Sequence, residues 1–176
     1  MTKVLVAYAS KRGATVEIAK TIADKLRERH LAVDCRPAGS VENLFGYDAV
    51  VIGSAVYFNR WRPEAMRFLR RHASRLADLP FWTFSSGPVG NSPALGELEP
   101  HRERTMAEML HARGHVVFGG RVQPGGHGPL RRALVSRIPR PYRDRRDWAQ
   151  IRAWSAPIAA ALEREQAPGA DGASVA

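Results

Sequence analysis

The residues best suited to chemistry lie near the N-terminus, in the stretch ASKRGAT at positions 9–15. An apolar run ends there, and a short turn supplies the hydroxyls of Ser10 and Thr15, the cations Lys11 and Arg12, and a glycine, Gly13. A helical pattern begins at once. Backbone N–H groups from Lys11 through Ala14 to Thr15 can wrap one anion at the start of that helix, where unpaired amides and the helix dipole both favour negative charge. Gly13 permits a close approach and a positive φ that a side chain resists. An ordinary strand-to-helix turn with a threonine cap would use the same residues. The spacing matches neither the Walker phosphate loop nor the Gly-x-Gly-x-x-Gly dinucleotide fingerprint.

Two further stretches share the position expected of a ligand site, since open parallel sheets bind ligands beyond the C-terminal ends of their strands. GSAVYFNRW, residues 53–61, places small residues at a strand end, where a flat ring can approach the backbone. Ser54, Ala55, Val56 and Tyr57 are its candidate contacts, with Tyr57, Phe58 and Trp61 available for stacking. SSGPVGNSP, residues 85–93, offers amides and hydroxyls from Ser85, Ser86, Gly87, Pro88, Val89 and Gly90, suited to the rim of a heteroaromatic ring.

The elements that position these loops follow from periodicity. Strands are expected at Lys3–Ala9, at LAVDCRP, at Tyr47–Val56, at Pro80–Ser86 and at His115–Val122. Between them, Val16, Ala19, Ile22, Ala23 and Leu26 fall on one helical stripe. Pro63 sits at the first turn of a second helix with Met66, Leu69, Ala73 and Leu76 inward. Residues 101–114 read as a third helix, with Met106, Met109 and Leu110 inward and Gly114 as its stop, and residues 147–165 as a last one. Alternating strands and helices imply βαβ crossovers and a doubly wound five-stranded parallel sheet. The stretch from Gln123 to Arg146 is too long for a simple connection and reads as an insertion after the fifth strand, with a short helix near Leu130–Ile138. A single domain over residues 1–165 and a disordered tail over 166–176 complete the layout.

On these residues the chain resembles the flavodoxin family, whose phosphate loop is matched by Ser10, Gly13 and Thr15. Within it the chain looks like the flavodoxin-type, quinone-dependent protoporphyrinogen IX dehydrogenases, through YASKRGATVEIAKTIADKL, YDAVVIGSAVYFNRW, FLRRHASRL, GGRVQPGGHGPLRRALVSRI and DWAQIRAW. The resemblance implies a flavodoxin-like α/β fold with strand order 2-1-3-4-5. It also implies FMN, its phosphate on Ser10–Thr15 and its ring between the second and third loops. The implied activity is oxidation of a donor, a porphyrinogen for those enzymes, with a quinone as acceptor.

The formal charge of +10 in 176 residues favours anionic partners. Arg121, Arg131 and Arg132 are candidates for a cationic wall near the flavin. The arginine-rich segment Pro129–Arg146 is a candidate for peripheral membrane contact. Nucleic acid is disfavoured, because the aromatic residues gather at the proposed ring site and do not interleave with the arginines. Cys35 is expected to pack, the six histidines lack metal-ligand company, and no general acid or base stands out. The single cysteine fits a reducing, cytoplasmic setting. Two other functions stay open: an electron carrier without its own substrate, and a flavin-free protein acting through its basic surface.

Overall fold

Valine, leucine and alanine fill β1 (Lys3–Ala9), and their alternation buries side chains on both faces. That pattern requires cover above and below. In the computed structural model, which describes residues 1–57, 60–87, 108, 110–121 and 144–166, β1 lies between β2 (Ala32–Pro37) and β3 (Ala49–Tyr57). A two-residue strand, β4 (Arg60–Trp61), folds back antiparallel on β3. β5 (Phe81–Gly87) and β6 (His115–Gly119) complete the order β2-β1-β3-β5-β6, with every neighbour on this path parallel. Setting aside β4, which the sequence did not suggest, this is the expected 2-1-3-4-5 order.

Helix α1 (Ala14–Arg27) and the C-terminal helix α4 (Trp148–Gln166) cover one face. Their core joins Val4, Val6, Val51, Phe84 and Phe118 to Ile18, Ile22, Leu26, Ile151 and Ile158. On α1 the inward stripe departs from expectation at one place: Ile18 is fully buried, whereas Val16 is half-buried. Helices α2 (Pro63–Arg71) and α3 (Ala73–Asp78), with the loop that follows β2, cover the other face through Leu5, Val50, Ile52, Val41, Leu44, Phe68, Leu69 and Leu76.

The second helix was expected to be continuous from Pro63 to Leu76. It breaks at His72, whose φ of −107° and ψ of 14° leave the helical region. The break lets the buried imidazole meet the Phe68 ring edge-on, with centroids 4.7 Å apart. Ala65 and Phe68 take inward places that the stripe assigned to Met66 and Ala73, which are half-buried. Residues 101–107, Met109, the expected short helix at Leu130–Ile138 and residues 167–176 lie outside the described residues. Leu110, expected inward, is half-buried against the α2 side of the core.

Candidate functional site

The C-terminal ends of β1, β3, β5 and β6 surround one open cleft of about 190 Å³. Ser10, Arg12, Ala14 and Thr15 form the wall at the start of α1. Ala55, Val56 and Tyr57 come from the end of β3, and Ser86 and Gly87 from the end of β5. Gly120 and Arg121, just past β6, close the remaining side. Of the expected site residues, Lys11 is exposed and stands off this wall, as do Gly13, Ser54 and Ser85. Pro88, Val89 and Gly90 lie outside the described residues, as do Phe58, Arg131 and Arg132.

Gly13 adopts φ +87° and ψ −20°, the left-handed conformation that β-branched residues resist, and α1 starts at the next residue. A Cβ at Gly13 would meet no atom within 4 Å, so the cost of a side chain there is conformational. The Gly13 amide donates to Ser10 Oγ at 3.1 Å, which closes the turn. No side chain caps α1. Its first-turn amides have no intrahelical acceptor, and Ala14 and Thr15 of that turn line the cleft.

The three loops are fastened to one another by hydroxyl contacts. Thr15 Oγ1 and Ser86 Oγ lie 2.8 Å apart, both buried, and tie the helix start to the end of β5. Ser85, on the opposite face of the strand, accepts the indole N–H of Trp61 at 2.8 Å. Ser54 accepts the Arg62 amide at 2.9 Å and donates to the Ala55 carbonyl. Ser54 and Ser85 thus hold the frame behind the cleft. Trp61, expected to stack on a ligand, is 4% exposed and belongs to the core. Tyr57 alone of the described aromatic candidates reaches the cleft.

Gly53 has a different purpose from the one its position suggested. A Cβ there would stand 2.0 Å from Cζ of Phe84, so the glycine makes room for a core ring. Phe84 is fully buried and packs on Phe118 and Trp154.

Beyond β6 the chain is held by a clamp. The Gly120 amide donates to the Gly87 carbonyl at 2.5 Å, and Arg145 N donates to Gly120 O. A Cβ at Gly119 would lie 1.9 Å from the Arg145 carbonyl oxygen, which explains the glycine pair. The Arg146 side chain is 3% exposed. It stacks on Trp148 and donates to Asp144 and to Glu17, the latter at 2.6 Å. The carboxylate of Glu17, one turn into α1, also pairs with Arg121 at 3.1 Å. Hydrogen bonds from Arg146 hold the Asp144 carboxyl below its ordinary pKa despite partial burial. Arg121 was legible as a candidate cation; Gly120 was missed, and the Gly119–Gly120 pair was its one sequence signal.

The architecture is that of a known family. The family model described as a flavodoxin domain matches residues 5–147. Protoporphyrinogen IX dehydrogenase (quinone) of Escherichia coli strain K12 is 29% identical over 93 residues, 52% of this chain and 51% of that protein. The chain thus spans about half the length of the curated relatives it matches. Among solved structures, a flavodoxin from the domain Archaea superposes with a TM-score of 0.60 at 14% identity, over 92% of this chain and 99% of that one. Rubredoxin oxygen:oxidoreductase from Desulfovibrio gigas does so with a TM-score of 0.65 at 15% identity, over 96% and 38%. The chain belongs to the flavodoxin domain family, a membership that implies FMN as its cofactor.

Proposed function

We propose that this protein is an FMN-dependent oxidoreductase that oxidises a porphyrinogen-like donor and delivers the electrons to a quinone. The observation that carries the reading is the uncapped start of α1, behind a left-handed Gly13, facing a cleft walled by β3, β5 and the exit of β6. The donor set fits a phosphate: first-turn amides, the Thr15 hydroxyl and the nearby Arg12 guanidinium are all suited to an anion. Gly87 and Gly120 leave the inner wall without side chains, and a Cβ at Gly120 would meet the Gly87 carbonyl at 2.7 Å.

Bound FMN supplies two-electron oxidation of the donor at its N5 atom and passage of electrons to the acceptor. The chain's own residues bind and orient. Ser10, Ala14 and Thr15 hold the anionic end, behind the turn that Gly13 makes possible, and Ala55, Val56, Tyr57, Ser86 and Gly87 border the space left for the ring. Pro88, Val89 and Gly90, which lie outside the described residues, stay candidate ring contacts on the family resemblance alone. Arg121, held by Glu17 at the cleft wall, supplies positive potential that favours anionic groups on cofactor or donor. Among the described lining residues none is a histidine or a carboxylate, so proton movement on the donor is assigned to no side chain.

The test is direct. Purified protein is expected to carry, or to take up, FMN with a visible flavin spectrum, and anaerobic protoporphyrinogen is expected to bleach it until a quinone is added. Protein that cannot be reconstituted with FMN would overturn the cofactor placement. Flavin that binds but is not reduced by the porphyrinogen would leave an electron carrier, the runner-up.

A further inference from the structure

On the face covered by α1 and α4 several cations are paired: Lys25 with Glu28, Arg27 with Asp24, Arg29 with Glu163 and Arg113 with Glu165. Lys20, Arg152 and Arg164 are exposed there without an ion pair among the described residues, but they are spread over two helices. The opposite face carries its exposed cations in one short stretch. From Arg60 to Asp78 the sequence holds six arginines against two carboxylates. Glu64 is engaged by Arg62 at 2.8 Å, and Asp78 closes the far end. Arg67, Arg70, Arg71 and Arg75 are all exposed, and among the described residues none of them closes an ion pair. Within α2 the spacing keeps Arg67, Arg70 and Arg71 on the side opposite the buried Ala65, Phe68 and Leu69, and Arg75 follows on α3.

A second feature shares this face. Phe45 is 83% exposed. It projects from the loop after β2, whose Val41, Leu44 and Tyr47 are buried in the same cluster as Phe68, Leu69 and Leu76. An exposed ring on a loop that packs in the same core layer as α2 and α3, together with four exposed arginines that close no ion pair among the described residues, combines two weak membrane signals, one apolar and one electrostatic, and stable interfacial attachment requires two. A duplex nucleic acid would use the arginines and leave the phenyl ring without a partner. An anionic bilayer uses both: guanidinium groups meet lipid phosphates, and the ring enters the glycerol layer.

We infer that the α2–α3 face, with Phe45 at its margin, docks the protein on an anionic lipid bilayer. This surface shares no residue with the arginine-rich segment 129–146, and it does not depend on flavin being bound. It would also set the cleft near the membrane, because Arg60 at the head of the row is the strand partner of Tyr57 in the cleft wall.

The experiment is sedimentation of the full chain with vesicles of phosphatidylcholine alone or mixed with phosphatidylglycerol, at low and high salt, with and without FMN. The protein is expected to pellet with the mixed vesicles only, to be released by salt, and to do so whether or not flavin is present. Each of Arg67→Gln, Arg70→Gln, Arg71→Gln and Arg75→Gln is expected to weaken partitioning about fivefold, and Phe45→Ser to weaken it without changing the salt dependence. Arg29→Gln on the opposite face is expected to leave it unaltered. Circular dichroism of each exposed-site variant confirms that folding is intact. Failure to bind mixed vesicles, or binding that survives the fourfold arginine substitution, would overturn the proposal. So would tighter binding to duplex DNA with the same arginine dependence and no effect of Phe45→Ser.

Discussion

The packing of Gly53 against Phe84 yields a quantitative test of why the glycine is there. In Gly53→Ala the new methyl group would stand 2.0, 2.1 and 2.3 Å from three atoms of the Phe84 ring. Real carbon contacts are near 3.5 Å or longer, so the ring or the strand has to shift by more than an ångström. The ring has nowhere to go: it is fully buried, with Phe118 at 5.8 Å and Trp154 at 6.2 Å between centroids. Overpacking of this kind costs about 1–3 kcal/mol, and the rigid aromatic surround places this case at about 3. Replacing glycine by alanine restricts the unfolded chain and offsets about 0.5 kcal/mol of that. The net loss of about 2.5 kcal/mol corresponds to a fall in Tm of about 5–10 °C for a chain of this size. Urea unfolding followed by tryptophan fluorescence measures it. Phe84→Leu in the same background frees the contested volume, so the double variant is expected to be more stable than the sum of the single losses, with a coupling of about 1 kcal/mol or more. FMN affinity of the folded fraction is expected to be unchanged. A stability change under about 0.5 kcal/mol, or the absence of rescue, would refute the packing account; a large loss of FMN affinity with normal stability would restore the view that this glycine admits a ligand.

Further perturbations address the cleft and the charge network. Gly13→Val forces a β-branched residue to φ +87°, costing about 1–3 kcal/mol in thermal unfolding and, by moving the first-turn amides, about tenfold or more in FMN affinity by fluorescence quenching. Thr15→Val leaves the buried Ser86 hydroxyl without its 2.8 Å partner, with an expected loss of about 1–3 kcal/mol and weaker FMN binding. His72 is buried beside Arg71 and its pKa lies below the ordinary 6.5, so the unfolded chain takes up its proton first. Stability is therefore full above pH 6.5 and falls as the pH drops toward the depressed native value; His72→Leu is expected to flatten that segment of a stability–pH curve. Asp144 is held below its ordinary 3.8 by Arg146. Its contribution is present above that value and lost as the pH falls through the lower native one, and Asp144→Asn is expected to remove this acid-range slope from urea midpoints.

Much of the frame was legible because it follows from local pattern. β1 runs from Lys3 to Ala9 as expected, since an apolar, β-branched stretch bounded by polar residues leaves little choice. That the sheet is parallel followed from alternation of strands and helices and the crossover rule, while its strand order came with the family resemblance. What was missed depends on which way a side chain faces or on contacts between distant segments. Ser85 and Ser86 are chemically identical neighbours, yet a strand sends them to opposite faces: Ser86 meets Thr15 and the cleft, while Ser85 meets Trp61 and the core. The break at His72 depends on where its ring packs. The bond from Arg146 to Glu17 spans 129 positions, beyond any periodicity in one sequence.

That long-range bond bears on how the anion site proposed at the start of α1 can coexist with a carboxylate in the first turn of the same helix. Glu17 is itself favoured there by the helix dipole, but a phosphate at the adjacent amides repels it. Arg121 and Arg146 both face Glu17 and shield the pair. The same geometry makes Glu17 a competitor: its hold on Arg121 at 3.1 Å keeps part of that guanidinium's charge from the cleft. A partly exposed pair of this kind is worth about 0.5–1 kcal/mol, so Glu17→Gln is expected to tighten FMN binding about threefold and to steepen its salt dependence. Riboflavin, which has the ring and lacks the phosphate, is expected to bind as it does to the unaltered protein. Weaker FMN binding in this variant would mean that Glu17 acts chiefly by holding Arg121 in place, and competition between the two anions would be refuted.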